Sequence, residues 1–202
     1  YRAYGLILES DTPLQELTPI ARAEFAPEAD VRVRFLGNRQ EFSLPPQWFM
    51  SWNLPAGELW LQCAKDKHGY LLRFPEIADY CIDFEGREIL CTPEPETPME
   101  TLRHLLLDQV LPLVLNLKGR EALHATAILT PLGVCAFVGP TGAGKSTLAA
   151  GFLRAGYAIL SDDCLVVESF DGQIFATPAY PGLRLWPDSF EALRDVAGRS
   201  QP

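Results

Sequence analysis

Residues 137–163 read FVGPTGAGKSTLAAGFLRAGYAILSDD, and the prediction of the fold starts from this stretch. Its residues 139–146, GPTGAGKS, fit the pattern G-x-x-x-x-G-K-[ST], which forms a phosphate-binding loop when a strand precedes it and a helix follows. The apolar run VCAFVG before the loop predicts a buried strand, and the apolar spacing after it predicts a helix from about residue 145 to 155. The stretch therefore predicts an α/β domain built around a phosphate loop.

The predicted loop can hold an anion through its backbone. Glycines let the chain turn without Cβ clashes, so that successive N–H groups point at phosphate oxygens, and the start of the helix directs its positive dipole end to the same place. Lys145 can reach the β and γ phosphates of ATP, and the Ser146 hydroxyl can ligate Mg²⁺. We expect ATP to contact the loop and the first helical turn, namely Gly139, Thr141, Gly142, Ala143, Gly144, Lys145, Ser146 and Thr147.

Two adjacent carboxylates, Asp162 and Asp163, follow the strand-like run AILS, and Asp162 comes seventeen residues after Lys145. A strand that ends there brings both side chains back to the sheet edge beside the loop. Two carboxylates permit one to hold Mg²⁺ while the other accepts a proton from an attacking hydroxyl. The predicted Mg²⁺ ligands are therefore Ser146, Asp162 and Asp163. The alternative is that the aspartate pair forms only a turn at the strand end.

His124 lies in ALHATAIL, which we predict to be the strand immediately before the strand of the loop. Adjacent strands would bring its imidazole within reach of the Asp162 carboxylate, where it could tune a base or contact phosphate. From the residues alone, a single histidine among apolar neighbours is more often a satisfied core residue.

Three segments in this order resemble a known family: LHATAI at 123–128, FVGPTGAGKSTLA at 137–149 and GYAILSDDCLVV at 156–167. They resemble the catalytic domain of HPr kinase/phosphorylase and of its smaller, HPr kinase-related relatives. The segments YRAYGLILESDTPL at 1–14 and YPGLRLWPDSFEAL at 180–193 also look like the smaller subgroup. The resemblance implies a P-loop kinase domain whose fold is similar to the nucleotide domain of phosphoenolpyruvate carboxykinase.

The resemblance also implies an activity. In that family the first aspartate of the pair acts as a base toward a serine hydroxyl, and the preceding histidine stands near it. Carried over by motif, these residues are Asp162 and His124, and Lys145 acts on the phosphate. The resemblance thus implies an ATP- and Mg²⁺-dependent kinase that phosphorylates a serine-containing peptide or protein. Some relatives are encoded with lasso-peptide biosynthesis, so a lasso-peptide precursor is one candidate acceptor.

The first part of the chain reads as short strands with alternating apolar side chains, among them VRVRF at 31–35 and DYCIDF at 79–84. We predict a small antiparallel β-rich domain over residues 1–96 and the nucleotide-binding domain over residues 97–202. The proline-rich segment TPEPETP at 92–98 marks the boundary between them.

A helix is predicted from about residue 98 to 118, where leucines recur at helical spacing. Thr97 and Glu100 have the spacing of a capping box at its start. Pro112 is expected to kink or split the helix, and Gly119 is expected to end it.

The charge of the chain limits its partners. Lys and Arg number 17 and Asp and Glu 26, so the formal net charge is −9, which repels nucleic acid and anionic lipid. We expect no nucleic-acid partner and no membrane partner, whereas homo-oligomerisation stays open. Five cysteines without a CxxC spacing are typical of buried, reduced thiols in a cytoplasmic protein. The start, YRAYGLILESD, lacks the features of a signal peptide.

Two other function classes compete with a kinase. A binding module would hold nucleotide for regulation or assembly without transferring phosphate. A transport-type ATPase would share the loop sequence, but no LSGGQ-like segment follows it, and the aspartate pair arrives too soon after the lysine. Weaker candidates for substrate contact are Arg184 and Trp186, for which packing is the alternative.

Overall fold

The computed structural model describes residues 1–20, 28–37, 47–140 and 142–180 of the chain. These residues form a mixed α/β protein in which strands outnumber helices. They divide into two compact units: the described residues of Tyr1–Arg2 and Leu6–Arg120 form the first, and those of Ala3–Gly5 and of the chain from Glu121 onward form the second. The boundary predicted after residue 96 precedes the helices of the first unit, whereas the boundary between the two units in the structure follows these helices.

The first unit is built on one large sheet. Its strands are β1 (Arg2–Ala3), β2 (Leu6–Ser10), β3 (Val31–Phe35), β4 (Gln47–Asn53), β5 (Leu59–Lys65), β6 (Gly69–Phe74), β7 (Ala78–Asp83) and β8 (Glu88–Pro93). They stand in the order β1-β2-β3-β8-β7-β6-β5-β4. The strands from β4 to β8 pair antiparallel with their chain neighbours, as predicted. The prediction of an antiparallel unit is wrong for β3, which pairs parallel with β2 and β8, because long connections rather than hairpins lead into and out of it.

A helical segment follows the sheet in sequence, close to the predicted bounds. It consists of α1 (Met99–Leu105), a π-helical turn (Leu106–Val110) and α2 (Leu111–Leu117). The N–H of Leu111 donates to the carbonyl of Leu106, five residues back, so the segment changes its winding just before Pro112. This is the split that the proline predicts.

The two ends of this helical segment differ in how well they were predicted. The predicted capping box is wrong, because α1 begins without a side-chain cap and the Thr97 hydroxyl donates instead to the carbonyl of Ile77 at 3.0 Å. Gly119 ends the segment as predicted, with a left-handed φ of 72°. The N–H of Arg120 then donates to the carbonyl of Leu115 at 2.9 Å, which closes a Schellman-type end.

The core of the first unit combines the helical segment with the sheet. The buried hydroxyl of Tyr80 on β7 donates to the carbonyl of Leu102 on α1 at 2.7 Å. Apolar side chains of the helical segment are buried, namely Leu102, Leu105, Leu106, Leu107, Val110, Leu111, Val114 and Leu115. The leucine pattern of this segment is therefore core packing.

The described residues of the second unit form two smaller sheets and one helix. Its elements are β9 (Glu121–Leu123), β10 (Ala125–Thr130), β11 (Gly133–Val138), α3 (Lys145–Arg154), β12 (Ala158–Ser161), β13 (Leu165–Phe170) and β14 (Gln173–Thr177). One sheet has the order β11-β10-β12 and the other β14-β13-β9, and the described pairs are antiparallel. Asp171 and Gly172, both with left-handed φ values, form the turn of the hairpin between β13 and β14.

Two predictions about the strands of the second unit are wrong. The run ALHATAIL is not one strand but two, since β9 ends before His124 and β10 begins after it, and each joins a different sheet. The run VCAFVG is a strand, but β11 lies at the edge of its sheet and is largely exposed, with Val138 at 73%. A continuous apolar run is typical of a fully buried strand, and the edge position of β11 does not provide that burial.

Neither α1, α2 nor α3 combines the length and the apolar character that crossing a bilayer demands.

Candidate functional site

The glycine-rich loop connects β11 to α3 at the place the sequence predicts. Gly142 and Gly144 have left-handed φ values of 83° and 84°, which side chains with a Cβ rarely adopt. Gly144 is also the N-cap of α3, and residues 142–144 are exposed. The loop therefore presents the N-terminal end of a ten-residue helix to solvent, where backbone N–H groups lack helical acceptors. Thr141 lies outside the described residues.

Lys145 folds back over the loop from the first position of α3. Its Nζ donates to the carbonyl of Gly139 at 3.0 Å and to that of Pro140 at 3.2 Å. The same Nζ lies 3.0 Å from Nε2 of His124. The ammonium group thus stands where a phosphate bound by the loop would meet it.

The two ring nitrogens of His124 have partners that determine its tautomer. Nδ1 lies 2.9 Å from the backbone carbonyl of Asp163, which can only accept a hydrogen bond. Nε2 faces the Lys145 ammonium, which can only donate. These partners fit the tautomer with the proton on Nδ1, and the ring links the lysine of the loop to the turn that follows β12.

The sequence predicts that the His124 ring comes within reach of the Asp162 carboxylate, and in the structure the two ring nitrogens contact the main chain of Asp163 and the side chain of Lys145. His124 stands where the chain leaves one sheet and enters another, so it lies outside the register of β10. Asp163 has a left-handed φ of 64°, a conformation that aspartate tolerates better than most residues.

Asp162 follows the last residue of β12 and is 7% exposed. Its Oδ1 accepts the hydroxyl of Ser146 at 3.0 Å and that of Thr126 at 2.6 Å. A buried carboxylate needs such donors, because without them the cost of removing its charge from water is not offset. The structure therefore joins the loop serine and the first aspartate of the pair, as the sequence predicts.

A single bulge in β12 places Asp162 on the face where these hydroxyls lie. Ile128 of β10 pairs with Ile159, whereas Ala127 pairs with Ser161, so Leu160 is an extra residue on β12. If the pairing of Ala127 with Ser161 is continued by one position, Asp162 stands opposite Thr126. Without the bulge, Ser161 would stand there, because a shift of one residue exchanges the two faces of a strand.

The Ser146 and Asp162 oxygens are suited to a hard cation. Mg²⁺ binds oxygen at about 2.0–2.1 Å in octahedral geometry, so neighbouring ligands lie about 2.9 Å apart. Ser146 Oγ and Asp162 Oδ1 are separated by 3.0 Å. In the described part of the chain no group of three or more His, Cys, Asp or Glu residues could hold a metal. The pair instead resembles sites where one or two protein oxygens share Mg²⁺ with phosphate.

The other predicted site residues differ in what the structure says of them. Asp163 is half-buried in the turn after β12, where its backbone carbonyl holds His124. Thr147 is half-buried on α3. Arg184 and Trp186 lie outside the described residues. Sequence reasoning missed Thr126. The signal that could have found it is its hydroxyl, since Thr126 is a polar residue within an otherwise apolar run.

The cluster brings together the glycine-rich loop, Lys145, His124 and the Ser146 and Asp162 oxygens. The chain matches no protein-family model, no curated protein and no solved structure at the level required for a match. The resemblance of residues 121–168 to the HPr kinase-related family accordingly stays a prediction from motifs.

Proposed function

We propose that this protein is a Mg²⁺-dependent kinase that transfers the γ-phosphate of ATP to a serine hydroxyl of a peptide or protein. The observation that carries the proposal is the contact between Ser146 Oγ and Asp162 Oδ1 at 3.0 Å, directly beside the lysine of the loop. In this contact, Ser146 can ligate the metal of a bound nucleotide. Asp162 can ligate the same metal and can also take a proton. The motif resemblance supports the same reaction.

The loop and Lys145 would bind the phosphates. The exposed glycines and the first turn of α3 offer backbone donors, and Lys145 exchanges the carbonyls of Gly139 and Pro140 for phosphate oxygens. Ser146 and Asp162 would hold Mg²⁺, which neutralises charge on the phosphate oxygens when it is bound. His124 keeps Lys145 beside this place through its unprotonated Nε2.

The transfer itself needs a proton acceptor. The serine oxygen of the acceptor forms a bond to the γ-phosphorus, and the bond from that phosphorus to the oxygen bridging the β and γ phosphates breaks. The proton of the serine hydroxyl passes to the Asp162 carboxylate. A serine-containing precursor peptide, such as a lasso-peptide precursor, is the acceptor class we propose.

A nucleotide-binding module without phosphate transfer is the second candidate. It is favoured by the burial of Asp162, which is 7% exposed and already accepts two hydroxyls. Such a carboxylate can serve to anchor the loop serine and the metal without meeting an acceptor.

The deciding experiment incubates the protein with Mg²⁺ and ATP labelled at the γ-phosphate, together with serine-containing precursor peptides. Each peptide has a control in which alanine replaces its serines. Labelled peptide that depends on those serines supports the kinase. Saturable nucleotide binding with neither transfer nor hydrolysis supports the module. A protein that binds no Mg²⁺-nucleotide at all would contradict both.

A further inference from the structure

Thr126 contacts Asp162, and the proposed function gives it no role. It lies on β10 and is fully buried, at 0% exposed. Its hydroxyl donates to Asp162 Oδ1 at 2.6 Å, which is shorter than the 3.0 Å contact from Ser146 to the same oxygen. Hydrogen bonds to an ionised acceptor are short and stronger than those between neutral groups.

We propose that Thr126 is a positioning residue for the nucleotide site, and that its hydroxyl holds Oδ1 of Asp162 in the orientation that a cation shared with Ser146 requires. The inference rests on the proposed function, in that it assumes a Mg²⁺-bound nucleotide at this loop. It concerns the affinity for the metal and not the identity of the acceptor.

The position of Thr126 in the sheet makes it a rigid support. β10 is the central strand, paired with β11 at Phe137 opposite Thr126 and with β12 at Ser161 opposite Ala127. A β-branched side chain on such a strand has few accessible rotamers, so the hydroxyl is oriented before any ligand arrives. The bulge at Leu160 then brings Asp162 opposite this hydroxyl.

The two donors to Oδ1 would behave differently when a cation binds. Ser146 lies in the first turn of α3, next to the loop, and its oxygen would itself become a ligand of the metal. Thr126 approaches from within the sheet and is fully buried, so its bond to Asp162 is available with or without the metal. Partners that orient a metal-binding side chain in this way typically contribute about 10- to 100-fold to metal affinity.

The first test is made on the protein without nucleotide. A buried hydroxyl bonded to a carboxylate exchanges slowly with water, so we expect a downfield hydroxyl proton resonance for Thr126 in NMR spectra. The resonance should be absent in Thr126→Val and should move in Asp162→Asn. A rapidly exchanging Thr126 hydroxyl in the wild type would overturn the inference.

The second test measures the Mg²⁺ concentration that half-saturates binding at a fixed ATP concentration, by calorimetry. Thr126→Val keeps the side-chain shape and removes the donor, and we expect this concentration to rise about tenfold. Affinity for ATP in EDTA should change by less than about twofold. Thr126→Ser restores the hydroxyl and should recover Mg²⁺ dependence to within about threefold of the wild type.

The matched control is Ile128→Val, a fully buried change on the same strand that removes packing but no hydroxyl. It should lower the melting temperature while leaving Mg²⁺ dependence unchanged. If Ile128→Val and Thr126→Val raise the half-saturating Mg²⁺ concentration equally, the role of Thr126 is merely structural and the inference is wrong. A wild type that binds no Mg²⁺-nucleotide overturns the proposed function, whereas normal binding with an unaffected Thr126→Val variant overturns only the role of Thr126.

Discussion

Nε2 of His124 lies 3.0 Å from Nζ of Lys145, so a neutral imidazole accepts a hydrogen bond from the ammonium group of the phosphate loop. The other ring nitrogen donates to the carbonyl of Asp163 at 2.9 Å. The ring thereby links two parts of the site that are 18 residues apart in sequence, Lys145 and Asp163. A lysine held in this way loses less side-chain freedom when it binds phosphate.

The first prediction concerns the tautomer of His124. Because its two partners are an obligate acceptor and an obligate donor, we expect the neutral form with the proton on Nδ1. Nitrogen-15 NMR spectra of histidine-labelled protein at neutral pH check this directly. The chain has three histidines, and His124→Gln identifies the signal by its loss. A spectrum with the proton on Nε2 would contradict the described link to Lys145.

The second prediction separates the two aspartates. Asp162→Asn keeps an oxygen that can accept from Ser146 and Thr126, so the fold should persist, but the side chain can no longer take a proton. We expect phosphate transfer to fall by at least about 100-fold. ATP binding in EDTA should change by less than about threefold. Rates come from transfer to the serine-containing peptide and affinities from calorimetry.

Asp163→Asn is the matched control for this prediction, because it removes a carboxylate one position away and leaves the backbone carbonyl that holds His124. We expect it to retain more activity than Asp162→Asn. The reverse order would move the role of base to Asp163 and leave Asp162 as a metal ligand alone.

How far the sequence predicts this molecule depends on the kind of pattern. VRVRF alternates apolar and charged residues, which only a half-buried strand satisfies, and β3 has the predicted bounds, Val31–Phe35. The phosphate loop was located because its glycines and lysine act through local backbone geometry. The strand β4 was missed, since QWFMSWN lacks the regular alternation of apolar and polar residues that marks a strand.

The predictions that failed depend on contacts between distant parts of the chain. The bulge at Leu160 decides which residue faces Thr126, yet nothing in AILSDD marks an extra residue. The pairing of β3 with β8 depends on which strands meet in the sheet rather than on either sequence. Register and partner choice are tertiary properties, so a local pattern predicts strands more reliably than their neighbours.

The third prediction concerns thiol reactivity. All five cysteines are free, and Cys135 on the edge strand β11 is exposed, which corrects the expectation that the thiols are buried. Burial raises the pKa of Cys81 to about 11 and that of Cys91 to about 12. Since the thiolate is the reactive form, iodoacetamide at pH 7.5 should modify Cys135 well before Cys81 or Cys91. Mass spectrometry of the timed reaction measures the order, and earlier modification of Cys91 would contradict the described burial.

The last prediction concerns the pH dependence of stability and follows from the buried thiol of Cys91. Burial raises the pKa of Cys91 from an ordinary value of 9.0 to about 12. Between these two pH values the folded state keeps the thiol proton of Cys91, whereas the unfolded state loses it. The contribution to stability is therefore complete below about pH 9 and is lost as the pH rises toward 12. Urea unfolding at pH 7.5 and pH 10 should show a smaller loss of unfolding free energy for Cys91→Ala than for the wild type. Equal losses in both proteins would mean that Cys91 ionises in the folded state as easily as in the unfolded one.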